Sequence, residues 1–205
     1  MRRTVMVLLL GMVGAASSTL ALSQPTVAES RVHRCHGLRA TIVGTSGSDL
    51  LLRGTSHDDV IVGLGGDDDI RGQDGNDTIC GGAGRDHIEG SPGDDTLSGG
   101  IGADSVQGGN GAETIFGADG GDTLSGDRGP DRIQGGRGDD TLIGWGGGDR
   151  LFGGGGNDEL DGDIPDFPSV TGDDYLDGGD GTDDLDGEAG KDTCVNGETV
   201  ANCEA

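Results

Sequence analysis

The chain is short of nearly everything from which a globular core is made. Of its 205 residues only 2 % are aromatic, with one Trp, one Tyr and three Phe, and only 31 % are hydrophobic, against a usual ~45–50 %. A chain so poor in apolar surface cannot offset its ordering entropy by burial alone, so a conventional core is excluded. Basic residues are equally scarce: 13 Lys and Arg stand against 38 Asp and Glu, for a net charge of -25. That excludes nucleic acid as a partner, which needs clustered cations, and disfavours anionic membrane surfaces. No His-Glu-x-x-His, Gly-x-Ser-x-Gly or Gly-x4-Gly-Lys motif occurs, and no EF-hand loop with its closing Glu. The natural counter-charge for so many carboxylates is a cation, and their arrangement has to say which.

The two ends carry signals of a different kind. Arg2 and Arg3 precede an apolar run from Val5 to about Ala16, and small residues follow through Ser23. This is the layout of an export signal over residues 1–23, with cleavage after Ala21-Leu22-Ser23, and it predicts a secreted, extracellular protein. The run is short for a membrane span of ~20 residues, so the mature form is expected to have no transmembrane segment. Four Cys in an exported chain predict two disulfides. Of the three pairings, Cys194 with Cys203 is favoured because the two flank the turn dipeptide Asn196-Gly197; Cys35 is then left for Cys80. The alternative, a transition-metal site at His33-Arg34-Cys35-His36, rests on weak spacing.

What the chain has in abundance is Gly, 46 residues of it, and it is periodic. Gly72-Gln73-Asp74-Gly75-Asn76-Asp77-Thr78-Ile79-Cys80 is followed by Gly81-Gly82-Ala83-Gly84-Arg85-Asp86-His87-Ile88-Glu89. Gly holds the first and fourth places of each nine-residue unit, Asp the sixth and an aliphatic residue the eighth. The aliphatic place advances by nines from Ile61 through Ile70, Ile79 and Ile88 to Leu160 without a miss. The Gly-rich half can turn tightly. The second half predicts a very short strand with only the eighth residue facing inward. Two units then make one 18-residue coil, and coils stack as parallel strands ~4.8 Å apart. The fold class is therefore all-β, a parallel β-roll with a thin aliphatic ladder as its core. Stacking brings the sixth-place carboxylates into rows along both edges, where they would repel each other without a hard cation between them. Several oxygens at flexible distances favour Ca²⁺ over Mg²⁺.

These units match the RTX-type repeat G-G-x-G-x-D-x-U-x, and from Gly44 to Val195 the chain resembles that hemolysin-type family, in the form of a small exported bacterial calcium-binding protein. The resemblance implies side-chain ligands for several calcium ions from the sixth-place Asp, and carbonyl ligands from the early Gly places. Carried over position by position, the metal ligands are Asp59, Asp68, Asp77, Asp86, Asp95, Asp104, Asp122, Asp131, Asp140, Asp149 and Asp158. Asp49 precedes them and Asp174, Asp183 and Asp192 follow. Many relatives of this type carry a toxin, protease or lipase domain, but residues 24–43 are too few for a catalytic fold, so no enzyme is expected. The N-terminal signal departs from family members exported through a C-terminal one.

The pattern breaks in places. Glu113 stands where Asp is expected, and His57 where Gly is expected. Asp49 lies ten residues before Asp59, placing an extra residue near Arg53 and an irregular first coil. Asp163-Ile164-Pro165-Asp166-Phe167-Pro168 carries two Pro, which a central strand does not tolerate, so it reads as a loop. The expected organisation is a signal at 1–23, an N-terminal cap at 24–43, the roll at 44–161 and a loop at 162–171. The last repeats follow at 172–195, with a disulfide-closed cap at 196–205. The expected function is a secreted calcium-binding roll that folds on binding its ions. The alternative is an adhesion module whose outer face or loop binds an extracellular protein or glycan. Thr78, Thr96 and Thr114, with Phe116 and Phe152, all fall on one outer face, but the Thr row is short for ice.

Overall fold

The computed structural model describes residues 33–163 and 172–204. Within them the chain is all-β: two nine-stranded parallel sheets, with alternate strands belonging to alternate sheets. The first sheet runs from Ile42–Val43 through Val60–Gly65 and Thr78–Ala83 to Arg150–Gly155, Tyr175–Asp180 and Thr193–Val195. The second runs from Leu52–Arg53 through His87–Pro92 to Glu159–Asp161, Asp184–Asp186 and Thr199–Ala201. Pairing joins residues 18 apart, as in Thr78↔Thr96 and Ile79↔Leu97 or Val106↔Leu124. A β-roll of 18-residue coils is what the nine-residue period predicts.

The core is as thin as the composition requires. Ile61, Ile70, Ile79, Ile88, Leu97 and their successors through Leu185 form one buried ladder between the sheets, all but Val106 wholly excluded from solvent. Each rung touches rungs above and below, so burial accrues only as coils stack. The expected very short strands prove longer. Most run six residues, from the seventh place through the Gly-rich first, second and third places of the next unit, as in Thr96–Ile101. Nor is the eighth residue alone in facing inward. The first-place Gly is buried, and so is the sixth-place Asp. A Cβ built on Gly135 would lie 2.4 Å from Oδ2 of Asp140 and 2.6 Å from the Gly153 carbonyl oxygen. Gly is required there to make room for a carboxylate, over and above its freedom to turn.

The register corrects two expectations. Ile42 pairs with Ile61, 19 residues on, whereas Leu52 pairs with Ile70, 18 on. The amide of Asp49 still donates to Asp68, 19 residues on, so the extra residue sits at Leu50-Leu51 and not near Arg53. Leu50 is 93 % exposed there, pushed out of the ladder. At the other break, Leu151 pairs with Leu176 and Arg150 with Tyr175, a spacing of 25 in place of 18. Gly162 remains in the roll, its amide donating to the Asp186 carbonyl at 2.8 Å. Residues 164–171 of the loop read at 162–171 lie outside the described residues, as does the export signal read at 1–23.

Both expected disulfides are present, Cys35–Cys80 and Cys194–Cys203. The first ties a small antiparallel hairpin, Arg34–Cys35 with Leu38–Arg39, onto the outer face of the first sheet. The tail adds a rung of its own: Thr199–Ala201 pairs in parallel with Asp184–Asp186 in a coil of 15 residues, 184 facing 199. The first-place Gly makes a test of this packing. Gly135→Ala should destabilise the calcium-loaded roll by about 2–3 kcal/mol, the cost of overpacking a rigid site. Gly155→Ala, whose Cβ would meet nothing nearer than 4.0 Å, should change it by less than about 0.5 kcal/mol. Urea unfolding of the two variants in saturating Ca²⁺ distinguishes them, and equal midpoints would refute the assignment.

Candidate metal centre

Each turn presents its sixth-place carboxylate inward, and the two carboxylate oxygens have different fates. One accepts a hydrogen bond from the backbone N–H of the sixth-place residue one coil earlier. Along one edge the amide of Asp68 donates to Asp86 at 2.9 Å, that of Asp86 to Asp104 at 2.8 Å and that of Asp104 to Asp122 at 2.8 Å. Asp140 and Asp158 continue the row, then Asp183 across the interruption. Along the other edge Asp59 donates to Asp77 and Asp77 to Asp95. Beyond Glu113 the row resumes through Asp131, Asp149, Asp174 and Asp192. The predicted rows along both edges therefore exist, with the carboxylates buried and not spread over the surface: Asp77, Asp86 and Asp95 are each 1 % exposed.

The second oxygen has no partner. Oδ2 of Asp68, Asp77, Asp86, Asp95, Asp104, Asp122, Asp131, Asp140, Asp149, Asp158, Asp174, Asp183 and Asp192 is buried without a hydrogen-bond donor. Among the described residues no Lys or Arg pairs with any of them; the ion pairs there join Arg71 to Asp69 and Glu89, and Arg137 to Asp119. A buried, unpaired carboxylate is strongly disfavoured. Desolvation accordingly pushes Asp86, Asp104 and Asp131 up to about 6, Asp95, Asp140 and Asp174 to about 7 and Asp149 to about 8. Amide hydrogen bonds from the coil below work against this and are outweighed.

Two expected ligands differ from the rest. Oδ2 of Asp49 accepts from the Thr45 amide at 2.7 Å, and Oδ2 of Asp59 accepts from both the Thr55 amide and its hydroxyl, at 2.7 and 2.8 Å. Hydrogen bonds from Thr55 and Thr41 hold the Asp59 carboxyl below its ordinary value despite the opposing effect of burial. In these first turns a Thr in the second place supplies the donors that later turns lack. Glu113 is the opposite case. Its extra methylene leaves both oxygens unpartnered, and burial, reinforced by Asp131, pushes it up to about 9.

Sequence reasoning missed two features. Asp163, read as part of the loop, is fully buried; one oxygen accepts from the Gly172 amide at 3.0 Å and the other has no partner. A second ladder also runs through the fifth places, with opposite polarity: the amide of Asn76 donates to Asp58, that of Arg85 to Asp67 and that of Ala112 to Asp94. The recurrence of Asp and Asn at that place was a visible signal. The backbone is constrained as well. The second place has positive φ even without Gly, as at Leu64, Ser91, Ala118 and Trp145, a conformation that persists only where its surroundings impose it.

What this arrangement can do chemically follows from its donors. Rows of anionic oxygens, buried, hard and lacking cationic side chains, suit a divalent cation bound by oxygen, and Ca²⁺ accepts the irregular geometry of such turns. The weak Cys35–His36–Cys80 grouping is no rival, since both thiols are spent in the disulfide.

Protons are the alternative occupant. Because these acids titrate higher in the roll than in the open chain, the ion-free roll binds more protons than the unfolded chain from about pH 4 to 8. Its stability must therefore rise as pH falls through that window. In chelator and 0.5 M NaCl, which screens exposed charges, far-UV circular dichroism should show more β structure at pH 5.5 than at pH 8.5. No change would contradict the burial of the carboxylates.

A family profile for the RTX calcium-binding nonapeptide repeat matches in four copies, at residues 53–88, 89–124, 125–160 and 171–194, more than half of the chain. No curated protein matches it. With the nonapeptide register, the 18-residue coils and the buried carboxylate rows in place, the chain belongs to the RTX calcium-binding nonapeptide repeat family, whose repeats bind Ca²⁺ at multiple sites.

Proposed function

We propose that this is a secreted, non-catalytic protein whose β-roll folds on binding Ca²⁺ and acts outside the cell as a structural or interaction element. The observation that carries the reading is the row of buried carboxylate oxygens without donors. Unoccupied, they oppose folding; neutralised by a cation held between turns, they join one coil to the next. Binding free energy then becomes folding free energy. A chain in low calcium stays open, which suits export through the signal read at residues 1–23, and closes on reaching calcium. Extracellular calcium modules bind at ~10⁻⁴–10⁻³ M, the range proposed here.

The proposed side-chain ligands are the unpartnered acids: Asp68, Asp77, Asp86, Asp95, Asp104, Asp122, Asp131, Asp140, Asp149, Asp158, Asp174, Asp183 and Asp192, with carbonyls of the Gly-rich places completing the shell. Asp49 and Asp59, already satisfied by Thr45 and Thr55, serve as a cation-free first coil. Glu113 supports a distorted site, and Asp163 adds an acid where the repeat has none.

Far-UV circular dichroism of the oxidised protein during a Ca²⁺ titration, with Mg²⁺ as control, tests this. The expected result is a cooperative transition to β structure with Ca²⁺ alone. Asp104→Ala should raise the midpoint several-fold and remove bound calcium measured by equilibrium dialysis. Asp59→Ala should leave the calcium count unchanged, as should Thr96→Ser at an outward place. A roll fully formed in chelator at pH 8 and indifferent to Ca²⁺ would end the proposal.

A further inference from the structure

The outer faces of the two sheets differ in a way the net charge conceals. On the second sheet the outward places carry acids such as Asp69, Glu89, Glu159 and Asp184. On the first sheet, from Thr78 to Phe152, the seventh and ninth places carry Thr, Ser, Cys80, Gln, Phe and Arg, and no acid. In a chain of net charge -25, a run of these outward places with two arginines and no acid is the exception, and it ends at Asp177, which pairs with Phe152 on the next strand.

The arginines are adjacent. Arg132 and Arg150 are direct partners on neighbouring parallel strands, and Tyr175 follows Arg150 in the same row. Two guanidiniums side by side repel, and among the described residues neither makes an ion pair that would relieve it. The Arg132 guanidinium lies 4.3 Å from the centre of the Phe152 ring, which holds it flat against the sheet. The rings of Phe152 and Tyr175 are 5.8 Å apart and tilted by 46°. Together the four side chains line a shallow cleft of about 400 Å³. Lower on the same face the space is already taken. The N-terminal hairpin is fixed there by Cys35–Cys80, and His36 packs against Phe116 at 5.4 Å. The hairpin thus covers the earlier coils, and among the described residues nothing covers the arginine–aromatic cleft.

We propose that this cleft binds a carboxylated glycan. Paired guanidiniums offer planar, bidentate donors to a carboxylate, and the aromatic pair offers ring faces to the apolar side of a sugar. Neighbouring parallel strands stand only ~4.8 Å apart, so the two arginines, direct partners across them, converge on one uronic acid carboxylate while the aromatic pair meets the adjoining sugar. Acids at the outward places of the other sheet, and Asp177 beside Phe152, disfavour a polyanion away from the arginine row, which confines it there.

The test uses oxidised, calcium-saturated protein and a hyaluronate oligosaccharide, followed by isothermal titration calorimetry. A neutral chitooligosaccharide of equal length and polyglutamate are the controls. Hyaluronate should bind and both controls should not. Arg132→Ser with Arg150→Ser should weaken binding at least about tenfold, the loss of bidentate charged contacts. Arg71→Ser with Arg85→Ser, elsewhere on the roll, should leave it within about twofold, within the usual scatter of surface changes. Calcium titrations of both double variants should match the parent, separating loss of the cleft from loss of the fold. If the Arg132/Arg150 variant does not fold, Tyr175→Thr, which installs the residue found in the same row at Thr193, replaces it and should lower affinity by several-fold. Absence of hyaluronate binding, equal loss in both double variants, or polyglutamate binding as tightly as hyaluronate would each overturn the proposal.

Discussion

A buried carboxylate oxygen with no donor is the constraint on which this roll turns. From Asp68 onward, each sixth-place Asp spends one oxygen on the amide of the coil before it and leaves the other bare in a solvent-excluded turn. At neutral pH the desolvation of that second oxygen works against the fold unless a proton or a cation meets it. The first-place Gly belongs to the same constraint, because a side chain there would fill the space the carboxylate occupies. The ladder of Ile and Leu is a single file of rungs, too thin to overrule such a cost at every turn. Stability is therefore shared between neighbouring coils, in the nearest-neighbour manner of repeat proteins.

The two ends answer the question that any stack raises, which is what closes it. At the start, Thr45 and Thr55 provide hydrogen-bond donors to Asp49 and Asp59, and the hairpin tied by Cys35–Cys80 covers part of the adjacent face. At the finish, the amide of Asp183 donates to Glu198 at 2.7 Å where earlier turns use Asp, and a shortened coil is held by Cys194–Cys203. Such ends limit the edge-to-edge pairing that an open sheet invites.

Because the core claims only the eighth place and the ion rows only the turns, the outward seventh and ninth places are free to vary. One sheet uses that freedom for acids and the other for hydroxyls, aromatics and a pair of arginines. The fold thus separates the chemistry that holds it together, inside the turns, from the surface available to a partner.

Period, class and core of this roll were legible in the sequence. A nine-residue repeat with an aliphatic eighth place admits few other ways to bury Ile61 through Leu160 together, and Asp in the sixth place recurs in too regular a row to be incidental. Position within the break was not legible. The ten residues from Asp49 to Asp59 have the same length wherever the extra one falls, and only the pairing of Leu52 with Ile70 assigns it to Leu50-Leu51. Nor could spacing alone tell Asp59 from Asp95, identical in their place in the repeat, or raise Asp163 above a loop acid. Those distinctions depend on whether a given oxygen meets a donor, as Asp59 meets Thr55, or none, as Asp95. Sequence spacing determines which residues share a place in the coil; which atoms find partners is decided only when turns are packed against one another and water is gone.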